Sequence, residues 1–136
     1  EEAPLLRAQA EAAPRSTWIA KPRQLGEGRH VRVLRGLPSL EATGVLSERC
    51  VVSRYIEDPL LVDGRKIDLR VYVLVLRLKP RPEAAIFHEG LVRSCGAAYD
   101  LTDEGLQNIG GHISNNAVQT KETRHACASN WMLAEL

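Results

Sequence analysis

The chain has 136 residues, of which 44% are hydrophobic and 26% charged, with a formal net charge of +1. That length holds one domain with a real core but is short for a two-domain enzyme, and the composition is ordinary for a soluble globular protein. No stretch approaches the roughly 20 apolar residues that cross a bilayer, so a membrane partner is not expected.

The beginning, EEAPLLRAQAEAAPRS, lacks the basic start and apolar core of a signal peptide. A first residue other than Met is what an excerpt of a longer polypeptide would show. Charge is uneven: residues 21–93 carry 14 Lys and Arg against 9 Asp and Glu, and the remainder 4 against 8. A basic middle favours an anionic ligand such as a nucleotide or acidic peptide, although a mixed solvated surface has the same arithmetic. Cys50, Cys95 and Cys127 stand singly and read as free thiols.

Residues 1–16, rich in Ala, Glu and Pro, read as a weak helix or loose lead-in. Thr17–Lys21 reads as a short strand, stopped by Pro22 because proline cannot donate to a sheet ladder. Arg23–His30, with Gly26 and Gly28, is a loop, and Val31–Leu34 a second strand. Leu37–Leu46 holds a short helix, and Cys50–Ile56 is the next strand, closed by Glu57-Asp58-Pro59. Lys66–Leu78 is a long strand whose period of two puts Ile67, Leu69, Val71, Val73 and Val75 on a core-facing side. Its other face begins with Lys66, Asp68 and Arg70 and turns apolar toward Leu74 and Leu76, as at the mouth of a cleft. Ala84–His88 and Leu91–Cys95 read as a hairpin around Glu89-Gly90, and a closing helix follows from Glu122. Strands dominate, so the class is α+β.

Lys21 ends a strand just before a glycine-containing loop, where an ammonium meets phosphate while loop N–H groups approach other oxygens. Taken alone, such a lysine is more often an ordinary strand-end surface residue, and the loop does not fit G-x-x-x-x-G-K-[ST]. Lys66, Asp68 and Arg70 follow one another on one strand face at about 6.7 Å. Two cations flanking a carboxylate suit a phosphate chain, but they also suit a salt-bridge ladder on a wet face. Arg93 could bind a carboxylate with two parallel hydrogen bonds. The histidines at 30, 88, 112 and 125 have no shared motif spacing, so no metal site is expected from them. Trp18, Tyr55, Tyr72, Phe87, Tyr99 and Trp131 do not interleave with basic residues in a nucleic-acid-binding pattern.

The order of segments is more specific than any one residue. WIAKP at 18–22, VVSRYIEDPLLVDGRKIDLRVYVLV at 51–75, HEGLVRSC at 88–95 and HISNNAVQ at 112–119 resemble the tubulin tyrosine ligase-like family over residues 18–121. The resemblance implies an ATP-grasp fold, incomplete here, in which sheets from two subdomains clamp ATP and Mg2+. It divides the chain into the lead-in 1–16, an ATP-grasp segment 17–121 and a C-terminal helix 122–136. It also implies a ligase that activates a carboxylate as an acyl phosphate and joins a free amino acid to it. Glutamate is the favoured amino acid and tubulin C-terminal tails the acceptor. The implied place is the cytoplasm, on the cytoskeleton, cilium or basal body.

By position in the resemblance, Lys21, Gly28, Ser53, Arg54, Tyr55, Ile56, Lys66, Asp68, Ser114 and Asn115 match ATP contacts. Arg54 and Ile56 would act through their main chain at the base edge. Arg70 matches an active-site arginine, and Arg93 and Asn116 fall at the amino-acid substrate. Several positions depart from the family pattern. Without a gap, Gly28 and His30 occupy the loop's two glycine positions, and with a two-residue deletion Gly26 and Gly28 do. Ser53 replaces a glutamine, Asn116 a common aromatic, and Thr120 a substrate-binding lysine. The family's magnesium ligands lie beyond the equivalent of Leu136, and its N-terminal subdomain has no counterpart, so this chain alone would not be the whole catalyst. A non-catalytic nucleotide- or microtubule-binding relative is the alternative.

Overall fold

The computed structural model describes residues 3–24, 26–47, 49–119 and 130–136. Helix α1 (Ala3–Ala12) is followed by β1 (Thr17–Pro22), β2 (Arg32–Arg35), α2 (Gly36–Ala42) and β3 (Cys50–Arg54). Then come β4 (Leu61–Val62), β5 (Arg65–Arg77), β6 (Glu83–Ser94), two short 3₁₀ turns (Gly105–Gln107 and Ile109–Gly111), β7 (Asn130–Met132) and a last 3₁₀ turn at Leu133–Glu135. Two antiparallel sheets with few helices make an α+β structure, with strand orders β2-β1-β3 and β4-β5-β6-β7.

The first sheet is built around β1, whose Thr17, Trp18, Ile19 and Ala20 are all buried. A central strand covered on both faces needs apolar or small side chains in a row rather than in alternation, and this one has them. Trp18 and Ala20 pack with Ala10, Leu34, Leu40 and Val45 beneath the two helices. Ile19 and Val33 point the other way and meet Leu106 and Ile113. Burial of side chains of this size contributes roughly 1.5–3 kcal/mol each. The Arg54 guanidinium lies over the Trp18 ring, 5.4 Å from its centroid.

The second sheet differs from the sequence reading in two ways. Residues 84–95 are not a hairpin: Glu83–Ser94 is one strand, and the chain reverses instead at 78–82, where Pro80 and Pro82 interrupt the ladder. Gly90 is not a turn residue. It pairs with Val71, and a Cβ there would stand 2.6 Å from the Arg70 carbonyl oxygen, so the glycine serves close strand approach at a bulge.

The expected core face of β5 is also corrected. Ile67 is buried, but Leu69, Val71, Val73 and Val75 are 45–57% exposed, and Leu74, Leu76, Ile86 and Phe87 are exposed as well. Flanking strands reach only the root of this ribbon: β4 pairs with Arg65 and Lys66, and β7 with Leu91, Val92 and Arg93. Of the closing helix expected from Glu122, residues 122–129 lie outside the described residues, and 130–136 form β7 and a 3₁₀ turn.

A long ribbon with apolar side chains on both faces and open edges is prone to self-association. The double substitution Leu74→Lys with Ile86→Lys is expected to suppress concentration-dependent association in light scattering. Its effect on thermal stability should stay within about 0.5 kcal/mol, as for surface sites; a large drop in melting temperature would mean that these side chains are covered.

Candidate functional site

The two sheets meet where residues 112–115 pass between them. Lys66, at the root of β5, is largely covered, and its Nζ donates to the His112 carbonyl at 3.1 Å and lies 3.5 Å from Asp68 Oδ1. Ser114 Oγ donates to Asp68 Oδ2. Ile113 packs against Ile19 and Val33 of the first sheet, so successive residues of one segment bind opposite walls. The amide of Gln119 holds this segment in place: its Oε1 accepts from Gly96 N at 3.0 Å and its Nε2 donates to the Ile113 carbonyl.

A cleft of about 370 Å³ opens between the walls, lined by Ile19 and Lys21 of β1, Gly28 of the following loop, Lys66 and Asp68 of β5, and Asn115. The loop closes onto residues 113–115 at Gly28, where φ is +77° and an added Cβ would lie 2.8 Å from Ile113 Cγ2 and 3.0 Å from Asn115 Oδ1. Gly26 has nothing within 4 Å. His30 also takes a positive φ, 56°, a conformation that favours glycine. Glu27, at neither glycine position, is positive as well, at 62°; Gly28, common to both placements, is the glycine that closes onto residues 113–115.

Lys21, Gly28, Lys66, Asp68 and Asn115 thus share one cleft, joined by Ser114 through Asp68. Ser53 stands opposite Ile19 in the ladder and so shares its face of the sheet. Arg93 stands opposite Asp68 across the β5–β6 pair, and Arg70, opposite Leu91, is the next residue on the same face. Arg70 is exposed and, like Asn116, lies outside the cleft lining. Arg54, Tyr55 and Ile56 border a second, wider depression of about 790 Å³ with Arg15, Ser16 and Glu57. The Arg54 side chain is turned away from the cleft, over Trp18 and onto Ser16 Oγ.

Sequence assigns His112 no role of its own, although it opens the HISNNAVQ segment at 112–119. The histidine is fully buried. Nε2 lies 3.2 Å from the Gly105 carbonyl, and Nδ1 lies 3.1 Å from the Tyr55 hydroxyl. Because a carbonyl only accepts, Nε2 carries the proton and Nδ1 accepts from Tyr55, which is the neutral tautomer. Tyr55 and Tyr99 meet the ring edge-on, at centroid distances of 5.7 and 5.4 Å. Burial, with the Lys66 charge nearby, pushes the His112 pKa below its ordinary value despite the opposing Gly105 and Asp100 contacts. Burial also raises Tyr55 and Tyr99. Glu57 is lowered, chiefly by the Thr17 N–H that donates to its Oε1 at 2.8 Å.

Among the described residues, no three His, Cys, Asp or Glu side chains gather as a metal-holding group. Asp68 already engages Ser114 and Lys66. These residues do not fit a magnesium site of their own.

A histidine whose folded pKa is depressed favours folding while it is neutral. Its contribution is complete above the unfolded value of about 6.5 and is lost as pH falls from there toward the folded value, by at most about 1.4 kcal/mol per pH unit. Urea melts between pH 7 and 5 are expected to show a steeper loss of stability for the wild-type chain than for His112→Asn. Equal slopes would contradict the buried neutral imidazole.

Residues 1–134 match the model of the tubulin-tyrosine ligase family. The chain is 33% identical over 136 residues to the probable alpha-tubulin polyglutamylase Ttll1 of Tetrahymena thermophila, covering 90% of this chain and 33% of that protein. It is 36% identical over 107 residues to the tubulin polyglutamylase TTLL5 of Mus musculus, covering 79% of this chain and 8% of that protein. Tubulin glycylase 3B of Tetrahymena thermophila is 35% identical over 106 residues, covering 77% of this chain and 9% of that protein. The chain spans a third or less of the length of these relatives. With a match along nearly its whole length, the chain belongs to the tubulin-tyrosine ligase family.

Proposed function

We propose that this chain supplies the nucleotide-holding cleft of an ATP-dependent ligase that joins an amino acid to a tubulin tail. The observation that carries the reading is the pair of lysines, Lys21 and Lys66, lining one cleft from opposite sheets with Gly28 closing over it. On this reading the two sheets are the walls of an ATP-grasp cleft. Ammonium groups suit phosphate oxygens as compact charges, and a glycine lets loop backbone come close to a phosphate chain. Ile19 and Ile113 offer apolar surface for a base or ribose, and the main chain at Arg54 and Ile56 would read the base edge. Asp68, held by Ser114 and Lys66, keeps its orientation for a hydroxyl or a further ligand.

The chemistry that fits is activation of an acceptor carboxylate. A carboxylate oxygen takes the terminal phosphoryl group of ATP as ADP leaves, then the amino acid's nitrogen bonds to the carbonyl carbon and inorganic phosphate departs with loss of a proton from nitrogen. Arg93, on the same strand face as Asp68, suits the incoming amino acid's carboxylate, and Arg70, next on that face, suits the developing negative charge.

Glutamate is the amino acid we assign, in keeping with polyglutamylase relatives such as TTLL5. A glycylase relative of nearly equal identity makes glycine the competing amino acid. The partners are then acidic tubulin tails, and the place is the microtubule cytoskeleton. A second reading, nucleotide binding without ligation, draws on His30 standing at a positive-φ loop position.

Calorimetric titration of the folded chain with a non-hydrolysable ATP analogue tests the shared core of both readings. Saturable binding is expected, weakened in Lys21→Ala by roughly 1.5–3 kcal/mol, the scale of a charge-assisted contact. Gly28→Ala should weaken it too, because its methyl group meets Ile113 and Asn115. No saturable heat at millimolar analogue from a folded sample would overturn the proposal.

A further inference from the structure

We infer that His112 is a positioning residue for the cleft, holding the Lys66 ammonium in place through its own carbonyl while its ring locks that carbonyl to the end of β3. The role rests on the nucleotide reading above, and the clasp itself is visible in the geometry. The imidazole is buried and has no freedom to turn: Nε2–H donates to the Gly105 carbonyl, Nδ1 accepts from Tyr55, and two tyrosine edges flank the ring. Tyr55 directly follows β3, and its N–H donates to the Thr17 carbonyl of β1 at 2.9 Å. Tyr99 extends the tie, donating through its hydroxyl to the Glu57 carbonyl at 2.9 Å. The first sheet, the Gly105 turn and the tyrosine pair therefore converge on one ring.

The same residue's carbonyl faces the other sheet and accepts from Lys66 Nζ. An ammonium has three donors. Among the described residues, one is spent on His112 and one is directed at Asp68, so the third can face the cleft. A free lysine side chain samples many rotamers, and immobilising it costs entropy at the moment of ligand binding. Here that ordering is already present, set by a residue that does not line the cleft. His112 acts through Lys66 and is not itself a contact for the ligand.

The test reads Lys66 directly. The chain is treated briefly with a small amine-acylating reagent, and peptide mass spectrometry compares labelling at Lys66 with that at exposed Lys21 as an internal reference. In the wild type, Lys66 is expected to react more slowly than Lys21. Tyr55→Phe, which removes one hydroxyl and keeps the ring, should raise the Lys66/Lys21 ratio about threefold, and His112→Phe about tenfold, the range spanned by one or two lost hydrogen bonds. His112→Asn, which keeps an acceptor for Tyr55, should fall between wild type and His112→Phe. Affinity for the ATP analogue should weaken in the same order. A packing role alone would lower melting temperature without ordering these ratios. Should His112→Phe fail to fold, Tyr55→Phe and His112→Asn still decide the matter. An unchanged ratio in folded variants overturns the positioning role, whereas a wild-type chain that binds no nucleotide overturns the proposed function itself.

Discussion

Four consecutive residues, His112 to Asn115, join the two sheets, and the cleft exists because they do. Each engages a different surface. The His112 ring binds the end of β3 and its carbonyl binds Lys66. Ile113 enters the apolar cluster of the first sheet, Ser114 bonds Asp68 of the second, and Asn115 meets the glycine loop. The segment has no regular strand or helix at these residues, so its shape is maintained by side chains, by the Gln119 amide and by turn bonds from the His112 and Ile113 N–H groups to the Ile109 carbonyl. Buried polar contacts of this kind stabilise only when all partners are satisfied, and here the hydrogen-bonding groups of His112 and the side chain of Ser114 each have one.

That arrangement explains why the polar residues sit at the root of the long ribbon. Lys66 and Asp68 are where β5 touches the 112–115 segment, and Ile67 between them faces the interior. Past Val71 and its partner Gly90, which still meets the Leu133 turn, apolar side chains on both faces of the ribbon are exposed. One strand therefore serves two purposes: its first residues form a charged wall that must stay in register with Arg93, and its outer part presents apolar surface. The bulge between Val71 and Val73 marks the change.

The parts that sequence made legible are those where residue type and local geometry are tightly coupled. β1 was readable from its aromatic and β-branched run ending at Pro22, and the charged face of Lys66, Asp68 and Arg70 from simple alternation. The hairpin was misplaced because Gly90 marks either a turn or a close strand approach, and only the partner strand distinguishes them. The two prolines at 80 and 82 carried the better turn signal. Burial of the Val71–Val75 face could not be judged by periodicity, which says that a face is apolar but not whether anything covers it. His112 was missed for a related reason: its importance lies in Tyr55, Tyr99 and Gly105, which are distant or unremarkable in the chain. That Gly28 rather than Gly26 meets residues 113–115 needed backbone geometry, which no residue count supplies.

The central claim is that the space between the two sheets is where a nucleotide binds, and backbone amide shifts during titration with an ATP analogue test it most directly. The account predicts that shifts concentrate at Lys21, residues 27–31, Lys66, Asp68 and residues 113–115, with smaller movement at residues 54–56, while the ribbon from Tyr72 to Phe87 stays unperturbed. Shifts confined to the ribbon, with the amides of Lys21, Gly28, Lys66 and Asn115 unmoved at saturating ligand, would contradict it.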